Sequence, residues 1–160
     1  MNEIAYALSI DWDKVGDQTF QLAVAFILSL PIAWNREEKS RGAGLRTFPL
    51  VCIASCAYML VGKAVFPDPE AQARIMYGII TGMGFIGGGA ILKTSSHVAG
   101  TATAAALWNT GAIGVSVAQG QYEIAVLLSL VSFLIFMLIP PIKHMSNGHH
   151  HPREPGGPDG

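Results

Sequence analysis

The side chains able to do chemistry are few, and they sit where polar stretches meet apolar ones. Arg36, Glu37, Arg46 and Thr47 lie in and beside the basic stretch NREEKSRGAGLR at 35–46. Gly87, Gly88 and Gly89 close one apolar run, and Thr101 and Thr103 open another. Guanidinium groups and the free amides of a helix start are donors, so a pocket built from this set would favour an anion or a partner's carboxylate. Arg46 stands directly before an apolar run. Arginine costs about 2.5–3.5 kcal/mol at the bilayer centre and less near the interface. Two readings of it stay open: a snorkelling, positive-inside anchor, or an Arg46–Glu37 or Arg46–carbonyl pair that closes or lines a pocket.

Catalytic chemistry is not expected. There is no Ser/His/Asp grouping, no HExxH, no paired carboxylates inside an apolar run, and no GxxxxGK[ST] loop for ATP. The reading is therefore no enzyme, no catalytic residue, no cofactor and no metal site. Cys52 and Cys56 stand one helical turn apart without a nearby Cys or His and read as small packing residues. His149, His150 and His151 read as a chance run in a flexible tail.

The elements that must position these residues are apolar helices. The chain is 51% hydrophobic and 13% charged, with a mean hydropathy of +0.40; soluble domains carry roughly 25% charged residues. The charges cluster and leave long uncharged runs, which marks a polytopic membrane protein surrounded by membrane lipid. No basic stripe fits nucleic acid. The expected fold is an all-α membrane protein of about five transmembrane helices packed through Gly/Ala-rich faces. Residues 1–17 are an interfacial N-terminal segment, with Ile4, Leu8, Trp12 and Val15 at helical spacing. It carries Glu3, Asp11, Asp13 and Asp17 against Lys14, unlike a secretory signal. The transmembrane domain is 18–142. Its spans are about Gln18–Trp34, kinked near Pro31, then about Thr47–Val65, Ile75–Leu92, Thr101–Val117 and Tyr122–Ile139, the last stopped by Pro140-Pro141. Residues 143–160 read as a disordered cytoplasmic tail.

Charge sets the orientation. With the N-terminus outside, the inside segments hold Arg36, Lys39, Arg41, Arg46, Lys93, Lys143 and Arg153, against Lys14, Lys63 and Arg74 outside. The N-terminus is therefore placed out and the C-terminus in. This topology gathers Arg36, Glu37, Arg46, Thr47, Gly87 to Gly89, Thr101 and Thr103 at the cytoplasmic mouth.

The stretch from Arg74 to Lys93 carries Gly78, Gly82, Gly84, Gly87, Gly88 and Gly89. A glycine inside a helix costs about 1 kcal/mol relative to alanine in water, but in a membrane it lets another backbone approach. The reading is a central helix touched on more than one side, with Gly78, Gly82 and Gly84 in its contacts. Gly87 to Gly89 either pack in the same way or unwind the helix and line a cavity. The facing stripe is Ala102, Ala105, Asn109, Ala112 and Ser116. Asn109 is expected to make an interhelical hydrogen bond, Thr101 and Thr103 to cap their helix, and Trp108 to fill a groove.

Four blocks in order, AGLRT at 43–47, RI at 74–75, GMGFIGGGAI at 82–91 and VAGTATAAALW at 98–108, resemble the hallmark blocks of the MgtC/SapB family of bacterial inner-membrane proteins. The resemblance spans about residues 20–125. It implies a multi-pass protein of the bacterial cytoplasmic membrane, linked in family members to growth in low magnesium, to survival inside host cells and so to virulence, and to restraint of the ATP synthase. Partners implied are that synthase, another membrane complex, or a homo-oligomer. Two departures stand out. The family's Glu-Arg after the first span is Asn35-Arg36 here, followed by Glu37. Many members also carry a soluble domain after the membrane part; functions resting on it are expected to be missing or supplied elsewhere. Two functions follow: a non-enzymatic membrane regulator, or a small transporter or channel with its site at the cytoplasmic end of the glycine helix. The expected spans hold no interior Asp or Glu, which counts against direct magnesium transport.

Overall fold

The computed structural model describes residues 10–39, 43–93 and 98–146. Ile4, Leu8, Arg41 and His149 to His151 lie outside these residues. Among them the chain forms five helices and one two-stranded ribbon. Helix α1 runs from Trp12 to Lys39. Its start is fixed by Asp11, whose Oδ1 accepts from the Lys14 amide at 3.2 Å, and by Asp13 in the first turn. The same helix continues through Pro31, as proline can in a membrane helix where local adjustments satisfy the freed carbonyl. Two sequence boundaries therefore move. Trp12 and Val15 belong to α1 rather than to a separate interfacial segment. Asn35, Arg36 and Glu37 ride on the end of that helix rather than in a loop.

Helix α2 spans Thr47–Val65, and Arg46 is its N-cap residue without a side-chain cap bond. The turn before it is held by Gly44, whose carbonyl accepts from the Thr47 amide at 3.1 Å and the Phe48 amide at 3.2 Å. Helix α3 spans Pro69–Gly89. It begins earlier than the hydropathy pattern implies, because Asp68 accepts from the Ala71 amide at 2.9 Å and Pro69 takes the first helical position. Gly87 to Gly89 stay helical, and α3 ends at Ala90, whose amide reaches the Gly87 carbonyl at 3.0 Å. Strands β1 (Leu92–Lys93) and β2 (Val98–Ala99) then pair antiparallel, Leu92 opposite Ala99. Helix α4 spans Thr101–Ala118 and α5 spans Tyr122–Ser146. α5 passes through Pro140-Pro141 rather than stopping there, so residues 143–146 are helical and not part of a tail.

The centre of the bundle is α4, which touches all four other helices and shares its largest contact with α2. The α2–α4 approach is close enough that a Cβ on Gly114 would strike the Cys52 carbonyl oxygen and lie 3.1 Å from Ser55 Cβ. Cys52, Cys56, Phe48, Leu107, Ile113 and Val117 fill this core. The glycine helix α3 sits to one side, against α2 and α4. It meets α4 through Gly87, whose Cβ position lies 3.2 Å from the Ala104 carbonyl, and through Met83 over Gly111. The closest contacts on α4 are thus Ala104 and Gly111; of the expected stripe, Ala112 and Ser116 border a groove shared with α3, while Asn109 turns to Ser132 on α5 and Ala102 and Ala105 are exposed. Small residues occur on every side of both helices, so spacing alone did not select a face. Gly78, Gly82, Gly84, Gly88 and Gly89 have open space where a Cβ would stand.

Polar side chains tie the helices together. Asn109 Nδ2 donates to Ser132 Oγ at 2.6 Å, Ser129 Oγ to the Leu28 carbonyl at 2.6 Å, and Lys63 Nζ to the Ala118 carbonyl at 2.8 Å. Large apolar side chains face outward, with Phe85 86% exposed. The segment Trp12–Glu37 of α1 and all of α2 are long and apolar enough to cross a membrane.

Candidate functional site

A cavity of about 700 Å³ opens where the end of α1, the starts of α2 and α4, and the end of α3 converge. Each element brings a different group. The last turns of α1 carry Arg36, the first turn of α2 carries Thr47, and α3 ends there at Gly89 and Ala90. Gly100 to Thr103 form a wall from the first turn of α4, the part of a helix whose N–H groups lack intrahelical acceptors. Gly100 makes the tight turn from β2 into α4. Its φ is 86°, and a Cβ there would strike the Ala90 carbonyl oxygen; only glycine is comfortable in this region.

Among the described lining residues Arg36 is the charged one, and it is only 8% exposed. Its guanidinium carbon sits 4.2 Å from the centre of the Phe136 ring on α5, a cation–π contact. Among the described residues its one hydrogen bond is a long one, from Nη2 to Asn35 Oδ1 at 3.5 Å. The buried Nε has no hydrogen-bond partner among the described residues. Among the described residues the ion pairs are Lys14–Asp11 and Arg74–Glu70, so no described carboxylate neutralises Arg36. Burying an unpaired charge is expensive, and such a site attracts an anion and repels a cation.

The structure brings Arg36, Thr47, Gly89, Thr101 and Thr103 to this cavity. Gly87 packs behind it against Ala104, and Gly88 faces open space. Glu37 turns away: its Oε2 accepts from the Leu45 amide at 2.8 Å and ties the end of α1 to the residues just before α2. Arg46 is exposed, outside the lining, and pairs with no described carboxylate, so the Arg46–Glu37 pair does not form. The N-cap of α4 is Gly100 without a side-chain cap bond, rather than a threonine cap. Of the remaining small-residue positions, Ala105 is exposed, and Ala112 borders a groove beside Trp108 and Met76. Phe136 was not legible as a site residue, since nothing in an apolar run marks which aromatic will lie over a distant cation. Among the described residues no group of His, Cys, Asp and Glu is placed to hold a metal ion.

Residues 22–145 match the model of the MgtC family. The chain belongs to the MgtC family. Membership of this family makes it a membrane protein, and two of its helices are long and apolar enough to cross a bilayer. It is 32% identical over 139 residues to a protein of Escherichia coli (strain K12) named "Putative magnesium transporter YhiD", covering 82% of this chain and 65% of YhiD. The protein slr0014 of Synechocystis is 34% identical over 138 residues, covering 86% of this chain and 57% of slr0014. Protein MgtC of Brucella abortus (strain 2308) is 31% identical over 131 residues, covering 82% of this chain and 55% of that protein. The chain thus spans between 55% and 65% of the length of these relatives. No solved structure matches.

Proposed function

We propose that this MgtC family protein is a five-span, multi-pass protein of the bacterial cytoplasmic membrane, N-terminus out and C-terminus in, that regulates another membrane protein complex by helix contact and catalyses nothing. The orientation rests on the excess of Lys and Arg in the segments assigned to the inside. The observation that carries the regulatory reading is the open face of α3. Gly78 and Gly82 floor an apolar groove between α2 and α3, and among the described residues no other element comes within 4 Å of a Cβ built on either. In lipid, helices associate through close backbone approach at small residues. Here those residues are exposed beside Tyr58, Ile75 and Ile86, ready for a helix from outside the chain. By family resemblance the partner is the ATP synthase, and the setting is low-magnesium or intracellular stress.

The test is crosslinking from native membranes, wild type beside Gly82→Leu. A membrane partner recovered with wild type and lost with the variant supports the reading; a partner recovered equally with both overturns it. The second reading, a small transporter or channel, draws support from the cavity at the inner end of α3 and from the name of YhiD. The cavity's charge, a lone guanidinium among its described lining residues, is wrong for magnesium. Ion flux in liposomes holding this protein alone separates the two readings.

A further inference from the structure

We propose that the Arg36 cavity binds a phosphate group, a site separate from the helix contact at Gly82. Arg36 is buried, charged and short of acceptors. Among the described residues its Nε has no partner, Asn35 offers a neutral oxygen at 3.5 Å, and Glu37 is committed to the Leu45 amide. Phe136 attracts the guanidinium through its ring face, but that contact leaves the N–H donors without an in-plane acceptor. An anion in the cavity supplies the missing charge and the missing acceptor together.

The rest of the lining selects the kind of anion. Thr47 from α2, Thr101 and Thr103 from α4, and the first turn of α4 all border the same space. A helix start favours negative charge through its amides and its dipole. Donors therefore come from three helices rather than from one plane. A tetrahedral oxyanion presents oxygens in several directions and can meet them at once, whereas a carboxylate offers two oxygens in one plane. The cavity, at about 700 Å³, has room for a phosphate with an organic group attached, and Ile86, Leu92 and Leu107 give it an apolar side. The phosphate belongs either to a phospholipid headgroup or to a soluble phosphate.

The experiment uses the full chain, delipidated in a neutral maltoside detergent, with melting temperature and native mass spectrometry as readouts. One arm adds inorganic phosphate against chloride at equal ionic strength. The other adds phosphatidylglycerol against a glucosyl-diacylglycerol of the same acyl chains. The expected result is bound ligand and a raised melting temperature in one arm, which identifies the source. Arg36→Gln should weaken that binding by about ten-fold or more, as loss of hydrogen bonds to a charged group does. Arg36→Lys should fall between, since it keeps the charge and loses the fork. If Arg36→Gln fails to fold, Thr101→Val takes its place and should also weaken binding. Binding in neither arm overturns the proposal. So does equal affinity in a folded Arg36→Gln or Thr101→Val protein, or acetate binding as tightly as phosphate.

Discussion

Gly114→Ala tests the packing directly, because the structure says what the added methyl would meet. It would stand against the Cys52 carbonyl oxygen, 3.0 Å from the Cys56 amide nitrogen and 3.1 Å from Ser55 Cβ. The first two obstacles are backbone, and neither can rotate away. A normal contact requires α2 and α4 to part by about 1 Å, and a gap of that size forfeits roughly a quarter to a half of each dispersion contact around it. This is the largest interhelix contact of the bundle, so the loss is spread over many atoms. Overpacking costs about 1–3 kcal/mol in ordinary cores; the rigid obstacle places this case at about 3 kcal/mol, before alanine returns up to about 1 kcal/mol of helix propensity. Gly82→Ala is the control, since its methyl would enter open space; it should leave stability unchanged or raise it by up to about 1 kcal/mol. Melting followed by tryptophan fluorescence in detergent should show Gly114→Ala several degrees below wild type and Gly82→Ala at or above it. Equal melting temperatures for the two variants would refute the assignment of α4 as the central helix.

Asn109→Ala should cost about 0.6–1.7 kcal/mol by removing the 2.6 Å bond to Ser132, and a double-mutant cycle with Ser132→Ala should recover that coupling. Glu37→Ala should leave the Leu45 amide without its acceptor, cost about 1 kcal/mol, and speed hydrogen exchange at that amide; unchanged exchange would mean the Glu37 bond does not hold Leu45.

The sequence revealed the helices better than their neighbours. The ends of α2 and the start of α5 follow directly from charge and hydropathy, because lipid demands uninterrupted apolar length. The start of α3 was carried by Asp68-Pro69, a capping signal hidden by the polar loop around it. Prolines misled at the end of α5, since a membrane helix tolerates them. The small-residue stripes showed that helices meet closely but not which ones do. Gly114, unremarked in its run, makes the tightest approach to α2, while Gly78 and Gly82 face outward. At the site, Arg36 and the threonines were legible as donors near helix ends. The choice of Arg36 over Arg46 was not, because it depends on α1 continuing one turn past the expected span and carrying Arg36 beneath Phe136.

The account's central claim is that α3 presents its glycine face to another membrane protein. The most direct measurement is in vivo crosslinking followed by pull-down from native membranes, comparing wild type with Gly82→Leu and checking that both melt alike once purified. The account predicts a membrane complex recovered with wild type and lost with Gly82→Leu, while the variant keeps its own fold. Recovery unchanged by the substitution, or a Gly82→Leu protein that no longer folds, would contradict it.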